Sequence, residues 1–148
     1  MTWVMQQLFR RLPVAERYPL PPREITERAA ATVGYHSPEA LPDAALNAHL
    51  VYGAATGALL GLAGRRRRLV NGSVYGVIVW AASYFGWAPA LRILTPANQH
   101  PLRRNLLMVA AHLVWGGVTA ASLIVFASAK AGMLARGRLA DAHPQRKR

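Results

Sequence analysis

Apolar positions along this chain gather into three long runs, separated by charged or proline-rich stretches and preceded by one short amphipathic segment. Residues 44–64, AALNAHLVYGAATGALLGLAG, are 21 positions without a formal charge, enough at about 1.5 Å per residue to cross a hydrocarbon layer of roughly 30 Å. Residues 74–91 (VYGVIVWAASYFGWAPAL) and 106–129 supply further runs of 18 and 24 positions. A helix in lipid must keep its backbone groups bonded internally, so runs of this kind predict spanning helices. The fold class expected is therefore an all-α integral membrane protein with three transmembrane helices. Its parts are an extramembrane region over 1–43, a three-helix unit over 44–129 and a basic tail over 130–148.

The first run is small rather than greasy. Gly53, Gly57 and Gly61 recur every four residues and form a shallow groove on one helix side, where a second helix can approach until backbones nearly touch. A related pattern opens or lies within each run: His49-Leu50-Val51-Tyr52-Gly53, Gly72-Ser73-Val74-Tyr75-Gly76 and His112-Leu113-Val114-Trp115-Gly116. Glycine admits a neighbouring backbone while the adjacent aromatic ring seals the flank. Gly72 and Gly76 continue the small face in the second helix, as Gly116 and Ala120 do in the third, so tight helix packing is expected.

Ahead of the runs, residues 1–12 (MTWVMQQLFRRL) place Met5, Leu8, Phe9 and Leu12 at helical spacing. This amphipathic helix is too short to cross a bilayer. It lies either at the interface, with Trp3 at headgroup depth, or against the protein's own helices. Pro13, Pro19, Pro21 and Pro22 keep the chain extended up to Arg23, after which 23–33 reads as a helix ended by Gly34 and supported by a Glu24–Arg28 pair. Ser37-Pro38-Glu39 and then Pro42-Asp43 are helix starts.

Charge adds orientation to this picture. The chain is 53% hydrophobic and 16% charged, yet its formal net charge is +12. The bases sit against the ends of the runs: Arg65 to Arg68 follow the first, and Lys130, Arg136, Arg138, Arg146, Lys147 and Arg148 follow the third. Such placement is what membrane topology demands, and it argues against nucleic acid as the partner. It puts the Arg65–Arg68 loop and the tail in the cytoplasm, and the N-terminal region and the loop around Gln99 outside. Arg92, Arg103 and Arg104 flank that outer loop and oppose the assignment, but Arg10, Arg11, Arg17, Arg23 and Arg28 are balanced by five acids and lie far from the first run. The membrane expected is one that borders the cytoplasm.

Candidate chemistry is sparse. There is no cysteine, hence no thiolate nucleophile or thiolate metal site. His49 and His112 come to similar depths under this topology and, with Tyr52 and Trp115, form the candidate polar or proton-responsive group. Two histidines without a carboxylate or thiolate nearby make a poor metal site. The simpler role for the rings is hydrogen bonding to Tyr52, Trp115 or a backbone carbonyl. Cofactor contact is the third role open to the two rings, although no particular cofactor is expected, and no phosphate-binding loop or metalloprotease motif is present to raise an enzymatic reading.

Pro21-Pro22-Arg23, then Gly72-Ser73-Val74-Tyr75-Gly76-Val77-Ile78-Val79-Trp80, then Pro96 with Asn98 and Gln99, then His112 with Trp115 resemble the YagU-like family of small bacterial inner-membrane proteins. The similarity covers about residues 19–118. It implies a membrane protein associated with acid tolerance, with no established catalytic residues to carry over. Where family members have a full hydrophobic segment before the proline-arginine motif, this chain has the shorter 1–12 segment.

Together these readings lead to a noncatalytic accessory or structural protein of the inner membrane. It would pack through glycine faces as a homo-oligomer or as a subunit of a larger complex, with membrane lipid as its surroundings. The alternative is a small oligomeric channel or proton-responsive protein using His49 and His112.

Overall fold

The computed structural model describes residues 1–34, 39–63 and 69–137, and every regular element among them is helical. In order these are α1 (Thr2–Phe9), a 3-10 turn at Val14–Glu16, α2 (Pro21–Thr32), α3 (Leu41–Leu62), α4 (Leu69–Ala81), a wide π-helical segment at Ala82–Trp87, α5 (Ala88–Ala90), a 3-10 turn at Ala97–Gln99 and α6 (Leu102–Ala131). The Ser37-Pro38 helix start, the Arg65–Arg68 loop and the tail beyond 137 lie outside the described residues.

Prolines set the helix starts. α2 begins at Pro21 rather than at Arg23, because a proline ring already holds φ at a helical value and its missing N–H costs nothing in the first turn. Pro42 and Asp43 occupy the first turn of α3 in the same way, and Pro101 caps α6. The ion pair on α2 joins Arg23 to Glu27 at 2.6 Å, not Glu24 to Arg28. Gly34, at φ +72, takes the left-handed conformation just past α2, as expected of a helix-ending glycine.

Two helices, α3 with 22 residues and α6 with 30, are long and apolar enough to cross a membrane. The middle apolar run takes a different form from the continuous span expected. Pro89 has no N–H to give the Phe85 carbonyl four residues back, and Gly86 leaves helical geometry at φ −106, ψ −108, so the turn widens over Ala82–Trp87 before α5. The path then closes on Arg92, a left-handed residue at φ 55, with Arg92 N–H donating to Pro89 O and Ile93 N–H to Ala88 O. This is the hydrogen-bond pattern that usually employs glycine at the left-handed position.

α4 and α6 form the tightest helix pair, running antiparallel. Gly72 faces Gly116 and Ala120, and Gly76 faces the His112 carbonyl and Gly116. A Cβ on Gly72, Gly76 or Gly116 would collide with main-chain atoms of the partner helix, so these positions require glycine. Along Gly53, Gly57 and Gly61 no backbone atom of another described helix comes within 4 Å of where a glycine Cβ would sit. Trp115, Thr119 and Leu123 of α6 lay side chains over that face instead, at 3.6, 3.3 and 3.4 Å from where glycine Cβ atoms would sit. The organising pair is thus α4–α6, and α3 leans on it through side chains.

The N-terminal helix takes the second of its two expected positions. Met5 and Leu12 are buried with Tyr84, Ala97, Leu107, Met108 and Ala111, while Leu8 and Phe9 pack on that cluster and Trp3 remains 70% exposed. Arg17 secures the arrangement by donating from Nε to the Leu12 carbonyl and from Nη2 to the Arg10 carbonyl, both at 2.8 Å, just past the end of α1.

Candidate functional site

The chemistry collects where α2, α3, α6 and the widened segment meet, around a cavity of about 170 Å³. His49 and Tyr52 reach it from successive turns of α3, His112 and Trp115 from α6, and Ser83, Tyr84 and Trp87 from the widened turn. The π-helical geometry matters here because it re-aims the residues that follow it relative to a regular helix. Pro21, Ile25 and Thr26 of α2 complete one side.

Hydrogen bonds settle the direction of several polar groups. Ser83 Oγ donates to the Val79 carbonyl at 2.8 Å, so the Tyr52 hydroxyl, 2.9 Å away, donates to Ser83 Oγ. His112 Nδ1 lies 2.7 Å from the Met108 carbonyl, which can only accept, so Nδ1 carries the proton and Nε2 of the neutral ring is an acceptor. His49 differs, since its Nε2 is buried with no hydrogen-bond partner among the described residues. Aromatic contacts stiffen the walls: Tyr52 and Trp87 have ring centroids 6.0 Å apart, and His112 and Trp115 6.5 Å. On the far side, Tyr75 donates to the Thr56 carbonyl at 2.7 Å and ties α4 to α3.

All four candidate polar residues, His49, Tyr52, His112 and Trp115, border this one cavity. Gly53 lies in its wall. Gly57 lines the adjoining groove between α3 and α6, about 460 Å³, which shares Met1, His49, Gly53 and Trp115 with the cavity. Gly61 sits farther along the same face, against Leu123. Gly72, Gly76, Gly116 and Ala120 instead hold the α4–α6 seam. Among the described residues, the one hydrogen bond of those expected for the two rings that is formed runs from His112 to a carbonyl of its own helix. Among the described residues no three of His, Cys, Asp and Glu gather where they could hold a metal ion.

No family model, curated protein or solved structure matches the chain.

Two features escaped the sequence reading. The run 74–91 predicts a continuous span with Tyr84 and Trp87 toward its interfacial end, and the Gly86…Pro89 spacing is the signal that this run does not stay regular. From sequence, Arg104 reads only as a charge flanking the outer loop. It is 4% exposed and donates to the carbonyls of Glu16, Tyr18 and Pro19 at 2.8, 2.9 and 2.8 Å, with its guanidinium carbon 3.5 Å above the Tyr18 ring centroid. Three carbonyls and an aromatic face replace the water that this buried charge gives up.

Proposed function

We propose that this protein is a noncatalytic accessory or structural protein of a membrane, spanning it with α3, α6 and the interrupted helical path between them. The observation that carries the reading is an apolar exterior. Only 11% of the apolar window of α3 and 22% of that of α6 is buried within the chain. Leu50, Val51 and Leu59 on α3, Ile78 and Phe85 on the middle path, and Val118, Val125 and Phe126 on α6 all face outward. Water would penalise that much exposed aliphatic and aromatic surface by about 25 cal/mol per Å², whereas lipid or a neighbouring helix does not. The proposed orientation places residues 1–34 and the 92–101 loop outside and the tail in the cytoplasm of a bacterial inner membrane. The Arg104 bonds to residues 16–19 support one shared side for the first two regions.

Extraction in native lipid followed by intact-complex mass spectrometry tests this function. A fixed homomeric or heteromeric mass agrees with an assembly role, and a monomer that partitions with the soluble fraction contradicts it. The proton-responsive alternative draws on His49 and His112 sharing a cavity. Its distinguishing measurement is proton flux in liposomes.

A further inference from the structure

We propose that a third space, the groove between α1, residues 17–23 and the first two turns of α3, binds one anionic phospholipid at the membrane surface. Its phosphate would sit on Arg17 and Arg23 and its acyl chains against Met5, Phe9 and Leu46. The groove holds about 430 Å³, inside the roughly 300–1,000 Å³ usual for a ligand pocket. Arg17 and Arg23 border this groove and neither borders the cavity or the α3–α6 groove. No Asp or Glu lines it.

Charge decides what enters. Arg17 is exposed, and its bonds from Nε and Nη2 to the Leu12 and Arg10 carbonyls hold the guanidinium in place while leaving Nη1 without an acceptor among the described residues. Carbonyls accept its protons without neutralising its charge, and among the described residues no carboxylate lies within ion-pair distance of it. The Arg23 side chain is 41% exposed and donates from Nε to Glu27, which offsets part of its charge and leaves both Nη nitrogens for another acceptor. A phosphate diester accepts several such donors at once and supplies the missing negative charge.

The apolar part of the groove selects a lipid over a free anion. Met5 and Phe9 of α1 and Ala45 and Leu46 of α3 border it beside the arginines. Leu46 and Leu50, one turn apart on α3, are 44% and 55% exposed, so apolar surface runs on from the groove along the helix. The uncharged run of α3 begins at residue 44, which puts the groove at the depth where headgroups give way to hydrocarbon. A choline or ethanolamine ammonium would come up against two arginines there and meet no carboxylate lining the groove.

The site rests on the membrane reading, which sets its depth and supplies its ligand. The test uses the full chain purified in mild detergent and titrated with dioleoyl phosphatidylglycerol or dioleoyl phosphatidylcholine, with bound lipid counted by native mass spectrometry. One saturable phosphatidylglycerol is expected, bound about fivefold more tightly than phosphatidylcholine, the scale of one charge interaction at a wet surface. Arg17→Gln should weaken it about tenfold and Arg23→Gln about fivefold. Arg28→Gln removes the same charge from an exposed position of α2 that does not line the groove, and should leave binding unchanged. Arg17→Gln also removes the bonds at the end of α1. If it unfolds at a lower temperature than the parent, Leu46→Glu decides the matter: it brings a carboxylate into the groove and should weaken phosphatidylglycerol about tenfold. Equal affinity for the two lipids, or equal effects of Arg23→Gln and Arg28→Gln, would overturn the site. Displacement of phosphatidylglycerol by glycerol 3-phosphate at equal concentration would overturn it too, by showing that the anion alone is recognised. A protein that stays in solution without detergent and never fractionates with membranes refutes the membrane reading instead, so the two failures are distinct.

Discussion

The main-chain carbonyl of Gly72 occupies the space that a side chain on Gly116 would need. Because the obstacle is backbone, it cannot rotate aside, and even a methyl group forces the two helices apart. Gly116→Ala should destabilise the protein by more than about 2 kcal/mol, at or above the usual range for overpacking. Gly57→Ala meets side chains alone, the Thr119 methyl group at 3.3 Å and Trp115 Cζ2 at 3.9 Å, and should cost less than about 1 kcal/mol. Thermal unfolding in mild detergent ranks the two, and a larger loss for Gly57→Ala would contradict the assignment of the seam to α4–α6.

Arg104 and Arg103 stand side by side in sequence, but only Arg104 is buried. Arg104→Ala removes three charge-assisted hydrogen bonds and leaves carbonyls of residues 16–19 without their donor. It should cost about 3 kcal/mol and expose residues 10–19 to limited proteolysis, whereas Arg103→Ala should stay within about 0.5 kcal/mol. Arg104→Lys keeps the charge but not the planar fork, so intermediate protection is expected. Equal cleavage rates in all three variants would remove the clamp from the account.

Orientation is tested by single cysteines reacted with an impermeant thiol reagent. Ala29 and Asn98 are exposed, whereas Ala97 in the same loop is 1% exposed and would report burial rather than side. Ala29→Cys and Asn98→Cys should label from outside in intact cells with a permeable outer membrane, and Gly137→Cys only after the inner membrane is opened. Labelling of Gly137→Cys alone in intact cells would invert the proposed topology.

The two histidines separate scaffold from proton chemistry. His112→Gln retains an amide N–H that can reach the Met108 carbonyl and should assemble nearly as well as the parent, while His112→Leu loses that bond and should cost about 1 kcal/mol. Proton flux should be unchanged in His49→Gln and His112→Gln. Loss of flux in a correctly assembled glutamine variant would favour the proton-responsive reading over the structural one.

Much of the helical layout was legible because it depends on local chemistry. Proline at a first turn, glycine past α2 and the spacing of Met5, Leu8, Phe9 and Leu12 act within a few residues. The repeated aromatic-glycine pattern pointed to Gly72, Gly76 and Gly116 as contact residues, but it could not rank them against Gly53, Gly57 and Gly61. Both sets offer the same small face, and the choice is made by what the opposite helix presents: Gly116 and Ala120 to α4, but Trp115, Thr119 and Leu123 to α3. The widened turn was partly readable from Pro89. The Tyr52–Ser83 bond was not, because it joins residues 31 apart whose meeting depends on how far that turn rotates them.

The bonds from Arg104 also impose a timetable. Its three acceptors precede it by 85 to 88 residues, and at ribosomal rates of about 5–20 residues per second the interval between their synthesis and its own is roughly 4–18 s. For that time α1 has been made but the α6 surface that buries Met5 and Leu12 does not exist. The bilayer surface is the nearest apolar phase open to it. Of the described helices, the one that leaves the ribosome first is therefore among the last to find its seat.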